Sequence, residues 1–186
     1  MVLSGSMDVM PATIDGPPTF EEYALPGYAY PGEPRKLVSY QIPEPLNRRL
    51  NGAARWAGDT GKVPGTATKA DLVRVSLHTF VSELEDRYLD GRQFERPTKI
   101  SRGRGRLVTS TMAKLTVHLP ISLTDRIAGA ADFVEETALI ADVTSINRLV
   151  AYAIGQHLEH LELSYRNGRP FKDPRRLSPG RPSLKR

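Results

Sequence analysis

The sequence predicts a mainly α-helical protein with one short two-stranded antiparallel β-ribbon, made from two copies of a strand-helix-helix unit. Three observations lead there. The chain matches itself without gaps at a shift of 77 residues. Each copy opens on a period-two strand followed by two stretches of helical period. Neither copy can cover its own strand.

The repeat places Leu37–Arg104 on Lys114–Arg181, with 19 of 68 positions identical. Random pairing at ordinary residue frequencies would give about four. The identities run from Pro43/Pro120 through Arg49/Arg126, Gly52/Gly129, Glu85/Glu162 and Tyr88/Tyr165 to Phe94/Phe171. A fixed period of this kind marks a duplicated structural unit.

In the first copy Val38, Tyr40 and Ile42 alternate with Leu37, Ser39 and Gln41. In the second, Leu115, Val117 and Leu119 alternate with Lys114, Thr116 and His118. Such alternation describes a strand buried on one face. Pro43 and Pro120 close the strands and suit a helix start, where a missing N–H costs nothing.

A first helix follows, with Leu46, Leu50, Ala53 and Ala54 matched by Leu123, Ile127, Ala130 and Ala131. Gly58, Gly61, Pro64 and Gly65 break it in copy one, and residues 138–143 break it in copy two. A second, longer helix begins near the N-cap residues Thr68 and Ser145. It buries Leu72, Val75, Val81 and Leu84, or Ile146, Leu149, Val150, Ala153, Leu158 and Leu161. Gly91 and Gly168 stand at its C-caps.

A lone strand with two helices leaves its edge and apolar face uncovered. Pairing the two strands, with four helices behind, resolves both. The roughly 24 residues between Leu89 and Lys114 span up to about 80 Å when extended, so the pairing can form within one chain.

These elements divide the chain into an acidic Pro-rich flexible tail (1–34), copy one (35–97), a basic linker (98–113), copy two (114–174) and a basic tail (175–186), with both tails expected to be disordered. The tail 1–34 holds five acids and no Lys or Arg. Since the 186 residues together carry +5, the rest carries +10. A pI near 9.6 and basic clusters at 99–106 and 166–186 favour a polyanionic partner. Cysteine is absent, which excludes disulfides and thiolate zinc sites. No apolar run approaches the roughly 20 residues of a membrane span, and no signal-peptide pattern opens the chain. A cytoplasmic protein associated with nucleoid or plasmid DNA is expected.

The strand Lys114–Pro120, its proline and the strand-helix-helix order found twice resemble the ribbon-helix-helix family, which includes the Arc and methionine repressors. The resemblance covers about 60 residues in each copy. The connection of about ten residues from Gly58 is longer than the family's usual one. The resemblance implies a tandem pseudo-dimer whose ribbon enters the DNA major groove. The implied base-reading residues are Ser39, Gln41, Lys114, Thr116 and His118. The implied phosphate contacts are Thr68, Lys69 and Ser145 at the second helix's N-terminus, with Arg49 and Arg126 on the first helix. Each copy also ends on Tyr-x-x-Gly-Arg-x-Phe and then a Gly-Arg core resembling an AT-hook. That makes Arg102, Arg104, Arg106 and Arg181 minor-groove candidates.

No P-loop, nucleophile elbow or zinc-protease helix is present, so neither an enzyme nor a cofactor is expected. His157 and His160 lie one helical turn apart and read as a surface pair, without a third metal ligand. Three roles stay open. One is a repressor or plasmid centromere-binding protein, loosely resembling partition proteins of actinobacteria. The second is an accessory protein of conjugative DNA processing. The third is an antitoxin-like protein binding a partner through Phe20, Tyr23, Leu25, Tyr28 and Tyr30. Partition proteins of that class stimulate a ParA-type ATPase through a basic residue in the amino-terminal tail. Here such a residue must come from Arg35 onward, since 1–34 holds none.

Overall fold

The computed structural model describes residues 30, 32–63, 66, 68–98 and 111–172. Strand β1 (Arg35–Pro43) leads into helices α1 (Glu44–Thr60) and α2 (Lys69–Tyr88). Strand β2 (Met112–Pro120) then leads into α3 (Ile121–Thr137) and α4 (Ile146–Arg166). Each element of the second set starts 77 residues after its counterpart.

β1 and β2 pair antiparallel into a two-stranded sheet. Its register sets Ser39 opposite Thr116, Leu37 opposite His118 and Gln41 opposite Lys114. Ser39 and Thr116 are the same position of the repeat, so an approximate two-fold relation passes through the ribbon's centre. Tyr40, Ile42, Leu115, Val117 and Leu119 face inward and are buried, with Val38 partly so. The alternate residues are exposed, as the period-two pattern requires.

Pro43 and Pro120 end the strands with extended backbone and cap the helices that follow. The ladder continues past them: Glu44 N–H donates to the Thr111 carbonyl at 2.9 Å, and Ile121 N–H donates to Pro34 at 3.2 Å. α1 runs through Gly58 and stops at Gly61, whose φ of 61° only glycine adopts without strain. Gly58 therefore lies within the helix, not at its break. Ala138 takes the equivalent left-handed position with φ 51°.

The core combines the inner ribbon face with the apolar stripes of all four helices, including Leu50, Leu72, Leu77, Ile127, Leu149, Ile154 and Leu158. Val63 and Val143, from the connections between helices, close its sides.

The repeated ends of the two copies close it further. After α2 the chain turns at Gly91 and carries Phe94 across to Phe133 of α3. After α4 it turns at Gly168 and carries Phe171 across to Trp56 of α1. Ring centroids are 5.5 Å and 5.4 Å apart. Gly129 and Gly52 lie beneath these arms. A Cβ at either would collide with the backbone carbonyl of Glu95 or Lys172.

Arg126 of α3 meets Glu85 of α2, and Arg49 of α1 meets Glu162 of α4. Each carboxylate also accepts the backbone N–H of its own arm, Phe94 or Phe171, at 2.8 Å. One helix from each copy is thereby clasped to the other copy's last helix.

Candidate nucleic-acid interface

The outer ribbon face carries Leu37, Ser39, Gln41, Lys114, Thr116 and His118, all exposed. All five base-reading candidates therefore share one face, as the strand phase predicted. Ser39 Oγ and Thr116 Oγ1 lie 3.1 Å apart at its centre. Small hydroxyls there leave the middle of the ribbon low, with longer side chains at both ends. The two strands hold Arg35, Lys36 and Lys114 and no acid. Arg35 has the outer phase and is exposed. Continuing the alternation of Leu37 and Ser39 backwards by two residues would have identified it.

Two helix N-termini are candidates for phosphate, and they differ. Ser145 Oγ caps α4 by accepting from Arg148 N–H at 3.4 Å, and the first turn of α4 holds no acid. Asn147 Oδ1 accepts the Gln41 N–H at 3.1 Å, fixing this helix end against the edge of β1. Asn147 is a second residue absent from the sequence-based set; no local pattern points to it. Thr68 instead forms a capping box with Asp71, whose carboxylate accepts from both the Thr68 N–H and hydroxyl. That carboxylate also accepts from Arg74 at 3.0 Å, so the start of α2 is occupied by its own cap and ion pair where the start of α4 is not. Lys69 Nζ donates to Asn47 Oδ1 at 2.7 Å.

Arg126 requires a correction. Only 5% exposed, it donates to both carboxylate oxygens of Glu85, to Ser82 Oγ at 2.8 Å and to the Tyr30 hydroxyl at 2.7 Å. A guanidinium so enclosed does not reach DNA. Arg49 makes the matching bonds to Glu162 at 3.2 Å and 2.7 Å with its side chain 28% exposed. Both arginines serve the clasp. The helical stripe held the signal: Arg126 falls three residues after Leu123 and four before Ala130, on the buried face.

The end of the acidic tail is also corrected. Tyr30 is partly buried beside His78, 2.8 Å from its Nδ1. Glu33 accepts the Ser122 N–H at 2.6 Å and its hydroxyl at 2.8 Å. Tyr30 and Glu33 thus belong to the folded body, and Tyr30 is not a free anchor for a partner. Phe20, Tyr23, Leu25 and Tyr28 lie outside the described residues, as do Arg102, Arg104, Arg106 and Arg181.

The perturbed titrating groups include Tyr40 on the inner ribbon face and His157 and His78 in the helices behind it. Burial pushes His157 down to about 4 and Tyr40 up to about 12. Burial, with the Arg126 charge adding to it, also lowers His78. His157 is therefore a core residue and not half of a surface pair. Among the described residues no three His, Cys, Asp or Glu side chains converge as a metal site. Nor, among those residues, is any helix long and apolar enough to cross a membrane. No family model, curated protein or solved structure matches the chain.

Proposed function

We propose that the chain is a sequence-specific double-stranded-DNA-binding protein, a tandem ribbon-helix-helix pseudo-dimer whose ribbon enters the major groove. It acts as a transcriptional repressor or a plasmid centromere-binding protein. The observation that carries this reading is the outer ribbon face: five exposed polar side chains in register, no acid on either strand, and a helix N-terminus held at one edge.

Two strands about 4.8 Å apart with side chains raised from one face fit a groove about 12 Å wide. Gln41 bridges adenine N6 and N7, Lys114 donates to guanine O6 and N7, and Thr116 meets a thymine methyl. The acid-free first turn of α4 meets backbone phosphate beside the groove. The +10 charge of residues 35–186 supplies the salt-sensitive part of the affinity. Because both strands come from one chain, a monomer carries a complete ribbon.

Selection of duplexes from a random library by the purified full chain, followed by footprinting, tests this reading. A defined motif protected through its major groove is expected. Enrichment of no duplex sequence would refute it.

A further inference from the structure

The two ends of the ribbon are chemically different, although the fold relates them by an approximate two-fold. The axis passes between Ser39 and Thr116, which face each other as equivalent positions. Under it Leu37 corresponds to Lys114, and Gln41 to His118. In a true homodimer both ends would present the same pair. Here one end presents Gln41 opposite Lys114, and the other presents Leu37 opposite His118.

We infer that the ribbon reads an asymmetric DNA site: a purine-edge element under Gln41 and Lys114, and a thymine methyl under Leu37. The inference rests on the DNA-binding reading above and specifies its ligand. Gln41 and Lys114 together offer an amide that bridges adenine and an ammonium that donates to guanine. Leu37, 57% exposed, has no hydrogen-bonding atom in its side chain and faces solvent without a core to join. The major-groove feature that matches it is the thymine methyl. His118 beside it supplies one ring in place of the amide and ammonium of the other end.

The surroundings differ in the same sense. Asn147 ties the start of α4 to the strand edge at Gln41, whereas its equivalent is Ala70, whose methyl group accepts no hydrogen bond from β2. The start of α2 carries the Asp71 carboxylate, and the start of α4 carries no acid. The Gln41–Lys114 end is therefore tied to an acid-free helix start through Asn147, whereas the Leu37–His118 end carries Arg35 and lies by a helix start whose Asp71 is paired with Arg74. A protein built this way binds its site in one orientation.

The test is conversion of the weak end into a copy of the strong one. The variant Leu37→Lys with His118→Gln makes the two pairs that flank the axis identical, with Arg35 the remaining outward difference from its equivalent Met112. Both positions are exposed, so the melting temperature should not change. Duplex selection with the wild-type full chain should return a site without dyad symmetry. Gln41→Ala and Lys114→Ala should each relax base preference in the same half of it. The double variant should prefer an inverted repeat of that half, by roughly ten-fold over the wild-type site. A wild-type site that is itself an inverted repeat would overturn the inference while leaving ribbon reading intact. So would a double variant that keeps the wild-type preference. If the wild-type chain enriches no duplex at all, the major-groove reading fails first and the asymmetry with it.

Discussion

Replacing Arg126 by methionine would leave the Glu85 carboxylate, its side chain 4% exposed, with only the Phe94 N–H among its bonds described above. Removing one partner of a buried pair costs about 3–5 kcal/mol, because the remaining charge is neither solvated nor neutralised. Domains of this size are stable by only roughly 5–15 kcal/mol, so the loss should be plain in a urea titration. Arg49→Met provides the internal comparison. Its side chain is 28% exposed, so water can replace it at Glu162, and the cost should be roughly 1–2 kcal/mol. The double variant Arg126→Met, Glu85→Leu should recover only part of the loss: it leaves no stranded charge, but it leaves the buried Phe94 N–H without its acceptor, at about 1–3 kcal/mol. DNA affinity of the folded fraction should not move. An Arg126→Met protein with the wild-type urea midpoint but weakened DNA binding would refute this reasoning and return Arg126 to the DNA interface.

Other outcomes follow from the same geometry. Gly129→Ala should destabilise despite alanine's better helix propensity, because its Cβ strikes the Glu95 carbonyl. Gly155→Ala in α4 meets nothing within 4 Å and should stabilise by about 0.5–1 kcal/mol, as thermal melts of the pair will report. Tyr40→Phe should hold or raise stability by up to about 1 kcal/mol in the same assay, since the buried hydroxyl has no hydrogen-bond partner among the described residues. His157, lowered from 6.5 to about 4, is protonated first in the unfolded chain as pH falls. Stability is therefore kept above about pH 6.5 and lost towards pH 4, by about 3 kcal/mol from this residue. His157→Phe, the residue found at the equivalent position 80, should flatten that acid limb of the urea midpoint against pH.

Strand phase and the order of the helices were legible because each rests on local periodicity, although α1 runs past Gly58 to Gly61. The duplication then made two strands pair in place of one strand exposing an edge. Tertiary partnership was not legible. Arg49 and Arg126 recur in both copies, and repetition alone does not separate a residue that binds DNA from one that binds the other copy. The burial of Arg126 was nonetheless implicit in its spacing from Leu123 and Ala130. Phe94 and Phe171 follow the last helices and gain their meaning only from Phe133 and Trp56, roughly forty and over a hundred residues away. Tyr30 and Glu33 sit in a stretch whose composition reads as a solvated leader, yet Tyr30 meets His78 of α2 and Arg126 of α3, and Glu33 meets Ser122 of α3. On the ribbon, six of the outward residues follow from phase alone. Arg35 was missed at the strand's end, and Asn147 was missed because it reaches β1 from another element.

The most direct test of ribbon reading is the affinity of Gln41→Ala and Lys114→Ala for the selected duplex, measured beside a scrambled duplex at fixed salt. Both side chains are exposed, so circular dichroism and melting temperature should match the wild type. Each substitution should weaken binding to the selected site by roughly 1–3 kcal/mol and leave binding to the scrambled duplex much less affected. Wild-type affinity of both variants for the selected site would contradict the account, because some other surface would then be reading the DNA.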